Sequence, residues 1–384
     1  MNKLMRIIFY PVLLFLLCNC GRYMKEQSFD GNEPIKEFLR TQIENDQFPA
    51  IQYVVVSPES ELFNFSEGLS DIAKNSKIKN RTTMMIYSMT KVITAISILQ
   101  LIGQEKIFLD DPVVKYLPEI PYGNDVKVRH LLSQTSGIPN PIPLKWVHLR
   151  EENDHFDEAS NLRSILSEYP KLDFQPGLKY RYSNISFWLL GRIVAKVSGT
   201  SFEQYVRTNI FERLNIDKKE ADFIIPDSFH HAKGYLRRWS VFDLLKSFLI
   251  DKKFFGDYEN GWLPINDHYM NGPSFGGVIA SAQAVSKILQ DLLKENSKLL
   301  GEKEVKLLFE RQLNSNHEPI ETTLGFHIGS KNETIYYFKE GGGAGFHGEL
   351  RIYPKEKIAT VIIVNNSAFD VDSLLNRLDG AFLK

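Results

Sequence analysis

The sequence predicts one α/β (α+β) domain whose sheet is assembled from both ends of the chain, with a helical segment inserted between them. Three observations predict it. Apolar, β-branched strand patterns lie near the start, at Ile51–Val56 and Leu62–Phe65, and again near the end, at Thr334–Phe338, Leu350–Tyr353 and Ala359–Val364. The stretch between reads as helices separated by Pro, Trp and charged residues. One long helix, Ser88–Glu105, carries apolar residues on nearly every side, among them Val92, Ile93, Ile96, Leu99 and Leu101, so it belongs in the interior.

Taken in order, Pro34–Asp46 places Ile35, Phe38, Leu39 and Ile43 at helical spacing. Ile51–Val56 reads as a buried strand, with Leu62–Phe65 as its hairpin partner after the Pro58-Glu59-Ser60 turn. Asn184–Val197 and Ser201–Leu214 are the clearest helices of the middle. Residues 281–296 give another amphipathic helix, and Val371–Phe382 closes the chain. The α/β part is therefore expected over about 33–90 and 275–384, and the helical part over about 91–274, within one unit spanning 33–384.

The chain has 384 residues, of which 43% are hydrophobic and 24% charged, which excludes a mainly disordered or collagen-like protein. Lys and Arg number 46 against 47 Asp and Glu, and no long basic run appears, so no nucleic-acid partner is expected. Cys18 and Cys20 are the only cysteines. A disulfide, a thiolate zinc site and a catalytic thiol are thus excluded from the body of the chain. No His-Glu-x-x-His motif occurs, and the adjacent His230 and His231 diverge on any regular element, so no metal site is expected.

The N-terminus reads as an export signal over residues 1–19. Lys3 and Arg6 give a positive start, and Ile7–Leu17 is an apolar run broken only by Pro11. A mature spanning helix needs roughly 20 residues, so the run suits a secretory signal better. The segment Leu17-Cys18-Asn19-Cys20-Gly21 resembles a bacterial lipoprotein signal, with Cys20 as the lipidated residue and Asn19 as a departure from the usual small residue. A lipid on Cys20 would tether the domain to a membrane surface, with residues 20–32 as a polar tether. A plain secreted protein is the alternative.

Three short motifs carry chemistry. Ser88-Met89-Thr90-Lys91 spells S-x-x-K, and residues three apart share a helix face, so hydroxyl and amine can meet. Serine needs a nearby base, and lysine must fall from about 10.4 by roughly 3 pH units to serve at neutrality, through burial or a second cation. Ser76-Lys77-Ile78-Lys79 has the same spelling without an apolar helix behind it. Tyr182-Ser183-Asn184 follows a Pro176-Gly177 turn and opens a strong helix, whereas Tyr122-Gly123-Asn124 and Tyr258-Glu259-Asn260 do not. A tyrosine beside a lysine can act as a phenolate base, although a core tyrosine with a satisfied hydroxyl is the plainer reading. Lys339-Glu340-Gly341 opens a glycine run through Gly345, suited to close approach of a substrate or to a simple turn. A rival, Gly272-Pro273-Ser274-Phe275-Gly276, spells the G-x-S-x-G nucleophile elbow but lacks the apolar strand that must precede it.

Together these residues resemble the serine β-lactamase and penicillin-binding-protein family, most closely its class C-like branch. Ile86-Tyr87-Ser88-Met89-Thr90-Lys91 is similar to the family's nucleophile helix. His130-Leu131-Leu132-Ser133-Gln134-Thr135-Ser136-Gly137 resembles its L-L-x-H-T-S-G segment, with Gln134 where His is common. Phe174-Gln175-Pro176-Gly177 leading to Tyr182-Ser183-Asn184 resembles its second motif. Gly276–Ser281 and Gly343–Pro354 resemble its later glycine turn and strand.

The resemblance implies a β-lactamase/transpeptidase-like fold, with an antiparallel sheet flanked by helices and an inserted all-helical domain. It implies Ser88 as the acylated nucleophile, Lys91 as proton acceptor and Tyr182 as partner base. Lys339 would raise the local potential and help Lys91 and Tyr182 lose protons. Asn184, Gly341 and Gly342 would bind substrate, and the backbone N–H groups of Ser88 and Gly342 would form an oxyanion hole. It implies no metal or organic cofactor. The expected substrate is an ester, an amide or a D-amino-acid peptide, including peptidoglycan-derived molecules. K-E-G replaces the frequent K-T-G, so Glu340 would repel a substrate carboxylate if it faced the cleft. Arg351 is the only nearby arginine to nominate as a carboxylate clamp, one strand too far along. Two other readings are a catalytically silent envelope lipoprotein that keeps the pocket for ligands, and an α/β-hydrolase using Ser274.

Overall fold

A computed structural model describes residues 29, 31–143, 145–227, 230–331 and 333–383. The expected signal peptide, Cys20 and nearly all of the tether lie outside the described residues.

Helix α1 (Asn32–Glu44) buries Ile35 and Leu39 from one face. Strand β1 (Ala50–Val56) is buried along its whole length, as its unbroken apolar run requires. Strand β2 (Glu61–Asp71) runs well beyond the expected Phe65, because its pairing with β1 continues as far as Gly68 opposite Ala50. A short β3 (Ser76–Lys77) pairs beside it. After β4 (Met84–Met85), a 3₁₀ turn at Tyr87–Met89 leads into α2 (Thr90–Gly103). Ser88 therefore sits on the turn that feeds the helix and not in its first α-turn. From Thr90 to Leu101 every residue of α2 is buried.

The intervening segment holds α3 (Val128–Leu132), α4 (Glu158–Glu168), α5 (Asn184–Ser198) and α6 (Phe202–Val206). It also holds α7 (Val241–Leu249) and α8 (Pro273–Gly276). It is not purely helical: β5 (Val147–Leu149) pairs with β9 (His268–Met270), and β7 (Gly234–Arg237) with β8 (Trp262–Ile265). A short β6 (Ala221–Asp222) pairs with β10 (Ile279–Ala280). The expected helix Ser201–Leu214 is interrupted by a π-turn at Arg207–Phe211 and a 3₁₀ turn at Glu212–Leu214. Within that π-turn the Asn209 carbonyl accepts a bond from Gln100 Nε2 at 3.0 Å, which the regular ladder would compete for.

The chain ends with α9 (Ala282–Leu292), α10 (Glu302–Phe309), β11 (His327–Lys331), β12 (Thr334–Gly342), β13 (His347–Tyr353), β14 (Ile358–Val364) and α11 (Val371–Leu378). The seven-stranded sheet has the order β11-β12-β13-β14-β1-β2-β3. Each neighbouring pair is antiparallel, and β14 meets β1 with Ile51 opposite Val364. The two ends of the chain thus close one sheet.

The sheet separates two cores, and period-2 alternation sends residues to each. Ile51, Tyr53 and Val55 face α1 and α11 with Leu39, Leu374 and Leu375. Ala50, Val54 and Val56 join the larger core around α2. Arg351 lies on the α11 side, fully buried, with its guanidinium on Glu349 Oε1 at 2.5 Å and Asp372 Oδ1 at 2.7 Å. It clamps the sheet to its covering helix and is not available to a substrate carboxylate.

Candidate active site

Ser88, Lys91, Tyr182, Asn184 and Lys339 come from three separate stretches of chain and meet where β12 lies against the turn before α2. That turn is tight: Tyr87 adopts a left-handed φ of 43°, and its hydroxyl donates to Ala344 O at 2.6 Å. Gly341 permits the approach of the strand, since a Cβ there would lie 2.1 Å from Ile86 O and 3.0 Å from Ser88 N. Gly343 does the same against the Tyr87 ring, where a Cβ would stand 2.5 Å away.

Tyr182 and Asn184 are delivered by the start of α5. Ser183 caps that helix, its Oγ accepting from Ser186 N at 3.2 Å. Gln134 Oε1 accepts from Ser183 N at 2.7 Å, and Asn140 Oδ1 accepts from Asn184 N at 3.0 Å. Gln134, noted as a departure from His, thus ties the second motif in place.

Lys91 is wholly buried. Its Nζ lies 2.8 Å from Asn184 Oδ1, 2.6 Å from Phe275 O and 3.0 Å from Ser88 Oγ. The first two partners only accept, so they take two N–H groups. In a neutral amine the remaining position is the lone pair, and it faces the Ser88 hydroxyl. Burial drives Lys91 far below its ordinary value, and the charge of Lys339 adds to the effect. Burial also brings Lys339 down to about 7, with Glu340 opposing the shift.

Ser88 Oγ and Tyr182 OH are 2.6 Å apart, and both residues remain partly exposed, open to a ligand. Lys91 Nζ and Lys339 Nζ stand 4.9 and 4.8 Å from the centre of the Tyr182 ring. Burial nevertheless pushes the phenol above its ordinary value. Desolvation therefore favours the protonated phenol of Tyr182 at rest, whereas burial and the charge of Lys339 favour the neutral amine of Lys91.

Gly342 forms a register pair with His347, while Gly343 N donates to Phe346 O at 3.1 Å. Antiparallel bonds alternate, so the Gly342 N–H points away from β13, toward the edge left open where β11 ends opposite Phe338. Glu340 alternates to the face opposite Lys339 and rests its carboxylate on His347 Nε2 at 2.5 Å. That bond lowers its pKa and raises that of His347.

Ser274 is buried, and its hydroxyl donates to Phe187 O at 2.9 Å. It packs α8 against α5 without a base at hydrogen-bond distance, so the elbow spelling carries no nucleophile. One neighbour was not anticipated. His327, the first residue of β11, places Nε2 3.2 Å from Lys339 Nζ and 3.1 Å from Tyr180 OH. No local motif marks it, because only strand register brings it there.

The sequence pattern of the Beta-lactamase family matches residues 35–381, and the chain belongs to that family. It is 26% identical over 211 residues to Protein flp of Staphylococcus aureus strain N315, covering 54% of this chain and 41% of that protein. It is also 26% identical over 227 residues to a beta-lactamase of Escherichia coli K12, covering 58% of this chain and 56% of that one. The matched region thus spans about half the length of these relatives. Among solved structures, D-amino acid amidase from Ochrobactrum anthropi SV3 superposes with a TM-score of 0.71 at 18% identity, over 91% of this chain and 98% of that one. This shared architecture is the β-lactamase/transpeptidase-like fold.

Proposed function

We propose that this protein is a serine hydrolase acting through an acyl-enzyme, with an ester, an amide or a D-amino-acid peptide as substrate. The observation that carries the reading is the bonding of Lys91: two obligate acceptors hold its N–H groups, and its third position meets Ser88 Oγ at 3.0 Å. As Oγ attacks the carbonyl carbon, its proton passes to Lys91. The oxyanion is received by the N–H groups of Ser88, at the start of its turn, and of Gly342. Tyr182 gives its proton to the leaving group, and the bond to that group breaks.

Tyr182 is then a phenolate beside two ammonium groups, the arrangement that a transient anion needs. It takes a proton from water, whose oxygen attacks the acyl carbon. Ser88 departs and recovers its proton from Lys91. Each enzyme group ends as it began, and one water has been consumed. Tyr182 acts in both steps without resting as an anion.

The amidase among the structural neighbours fits this substrate class. The beta-lactamase among the relatives makes β-lactams candidate acylating agents. Arg351, the arginine nominated as a carboxylate clamp, is buried across the sheet, which favours substrates lacking that group. The N-terminal sequence supports export and anchoring through Cys20 to a membrane surface facing the cell envelope, with peptidoglycan-derived molecules within reach.

The test is adduct mapping. A fluorophosphonate or a β-lactam should label Ser88, as located by mass spectrometry. Ser88→Ala should lose labelling and turnover of a nitrophenyl ester with its melting temperature unchanged. Label on Ser274, or full activity in Ser88→Ala, overturns the assignment. A correctly folded protein that takes no label supports a silent ligand-binding lipoprotein.

A further inference from the structure

Two buried lysines beside one phenol pose a question of proton placement, and the mechanism above needs a definite answer. Lys91 must be neutral to accept the Ser88 proton, and Lys339 must be charged to hold it so. Bonding alone does not place the proton. The three oxygen partners of Lys91 fit an ammonium as well as a neutral amine, and among the described residues the hydrogen-bond partner of Lys339 is a single nitrogen. Close pairs of this kind share protons, and small differences in bonding decide which member holds one.

We propose that His327 is a positioning residue that keeps the shared proton on Lys339, its Nε2 accepting from Lys339 Nζ at 3.2 Å while both lysines stand within 5 Å of the Tyr182 ring centre. The inference rests on the acyl-enzyme reading and specifies how its base is set. The other titratable groups near the pair are Tyr180 and Tyr182 from the segment before α5, and, acting through the strand from its opposite face, Glu340 of β12 bonded to His347 of β13. Among the described residues His327 is the one that gives Lys339 a direct hydrogen bond. Burial and the charge of Lys339 keep the imidazole unprotonated, as an acceptor must be. Tyr180 OH, 3.1 Å from the same Nε2, is a second donor that shares its one lone pair with Lys339 and helps to hold the ring. The geometry arises from β11–β12 register, which pairs His327 with Phe338 next to Lys339.

The experiment compares pH profiles of nitrophenyl ester turnover for the full chain and two variants. In His327→Phe the proton moves to Lys91. We expect kcat to fall about tenfold at neutral pH, KM to stay within about twofold, and the acid limb of kcat/KM to rise by about one pH unit. His327→Gln presents an amide oxygen at the same reach and should return the limb toward wild type. A limb that stays put in His327→Phe overturns the inference, as does a Gln variant as impaired as the Phe variant. Should His327→Phe fail to fold, ¹⁵N NMR of the wild-type imidazole decides. The Nδ1–H tautomer with bare Nε2 at neutral pH is expected, and an Nε2–H tautomer overturns it. Fluorophosphonate labelling of wild-type Ser88 is scored separately. Its absence sinks the acyl-enzyme reading, whereas labelling with an unmoved pH limb sinks only the role of His327.

Discussion

Lys339 ionises near pH 7 in the fold, against an ordinary value of 10.5. Between those values the unfolded chain holds a proton that the folded chain has released, so stability rises with pH across the window. The destabilisation is complete below about pH 7 and gone above about 10.5. Lys339→Met should therefore be more stable than wild type below about pH 7 by several kcal/mol, with the gain vanishing as pH approaches 10.5. Denaturant midpoints measured across that range check this, and a gap independent of pH refutes it. The same variant removes the cation that lowers Lys91, so the acid limb of kcat/KM should move to higher pH. Stability gained and activity lost in one substitution is the mark of a group retained for chemistry.

At the scale of elements, the site depends on how closely β12 seats on the turn before α2. Gly341→Ala would push a methyl carbon to 2.1 Å from Ile86 O, a backbone atom that cannot yield alone. We expect Ser88 labelling to slow by at least about tenfold, since a misplacement near 1 Å can cost about a hundredfold, and the melting temperature to fall. Normal labelling kinetics in a folded Gly341→Ala protein would count against the seating of strand on turn. Helix α5 plays the complementary part. Its Ser183 cap and the Gln134 bond fix the direction from which Tyr182 and Asn184 enter. The cap was legible in the sequence, because Tyr-Ser-Asn before an apolar helical run is a start signal. The Gln134 contact was not, being a bond across 49 residues.

For the molecule as a whole, one sheet carries the candidate site on one face and a buried ionic cluster on the other. Arg351, fully buried, meets Glu349, Asp372 and Asp379 there. Removing a single partner of such a cluster leaves uncompensated charge, typically costing about 3–5 kcal/mol. Arg351→Met should lose about that much stability by chemical denaturation while Ser88 remains the labelled residue in the folded fraction. If the variant instead altered selectivity for carboxylate-bearing substrates without destabilisation, Arg351 would belong to the cleft after all. Among the described residues no helix is long and apolar enough to cross a membrane. If Cys20 carries a lipid, replacing it with Ser should release the protein from membranes on fractionation.

The sequence by itself determined the interior helix, the hydroxyl and amine three residues apart on its leading edge, the capped start of α5, and strand patterns at both ends of the chain. Each is a local signal, written in periodicity or in a cap. Tertiary structure alone decided that β1 pairs with β14, that Ser88 sits on a 3₁₀ turn, that Arg351 faces away from the cleft, and that His327 reaches Lys339. It also decided in which direction the two lysines and the phenol are shifted. Proton affinity depends on burial and on charges from distant segments, and neither is encoded in the spacing of residues along the chain.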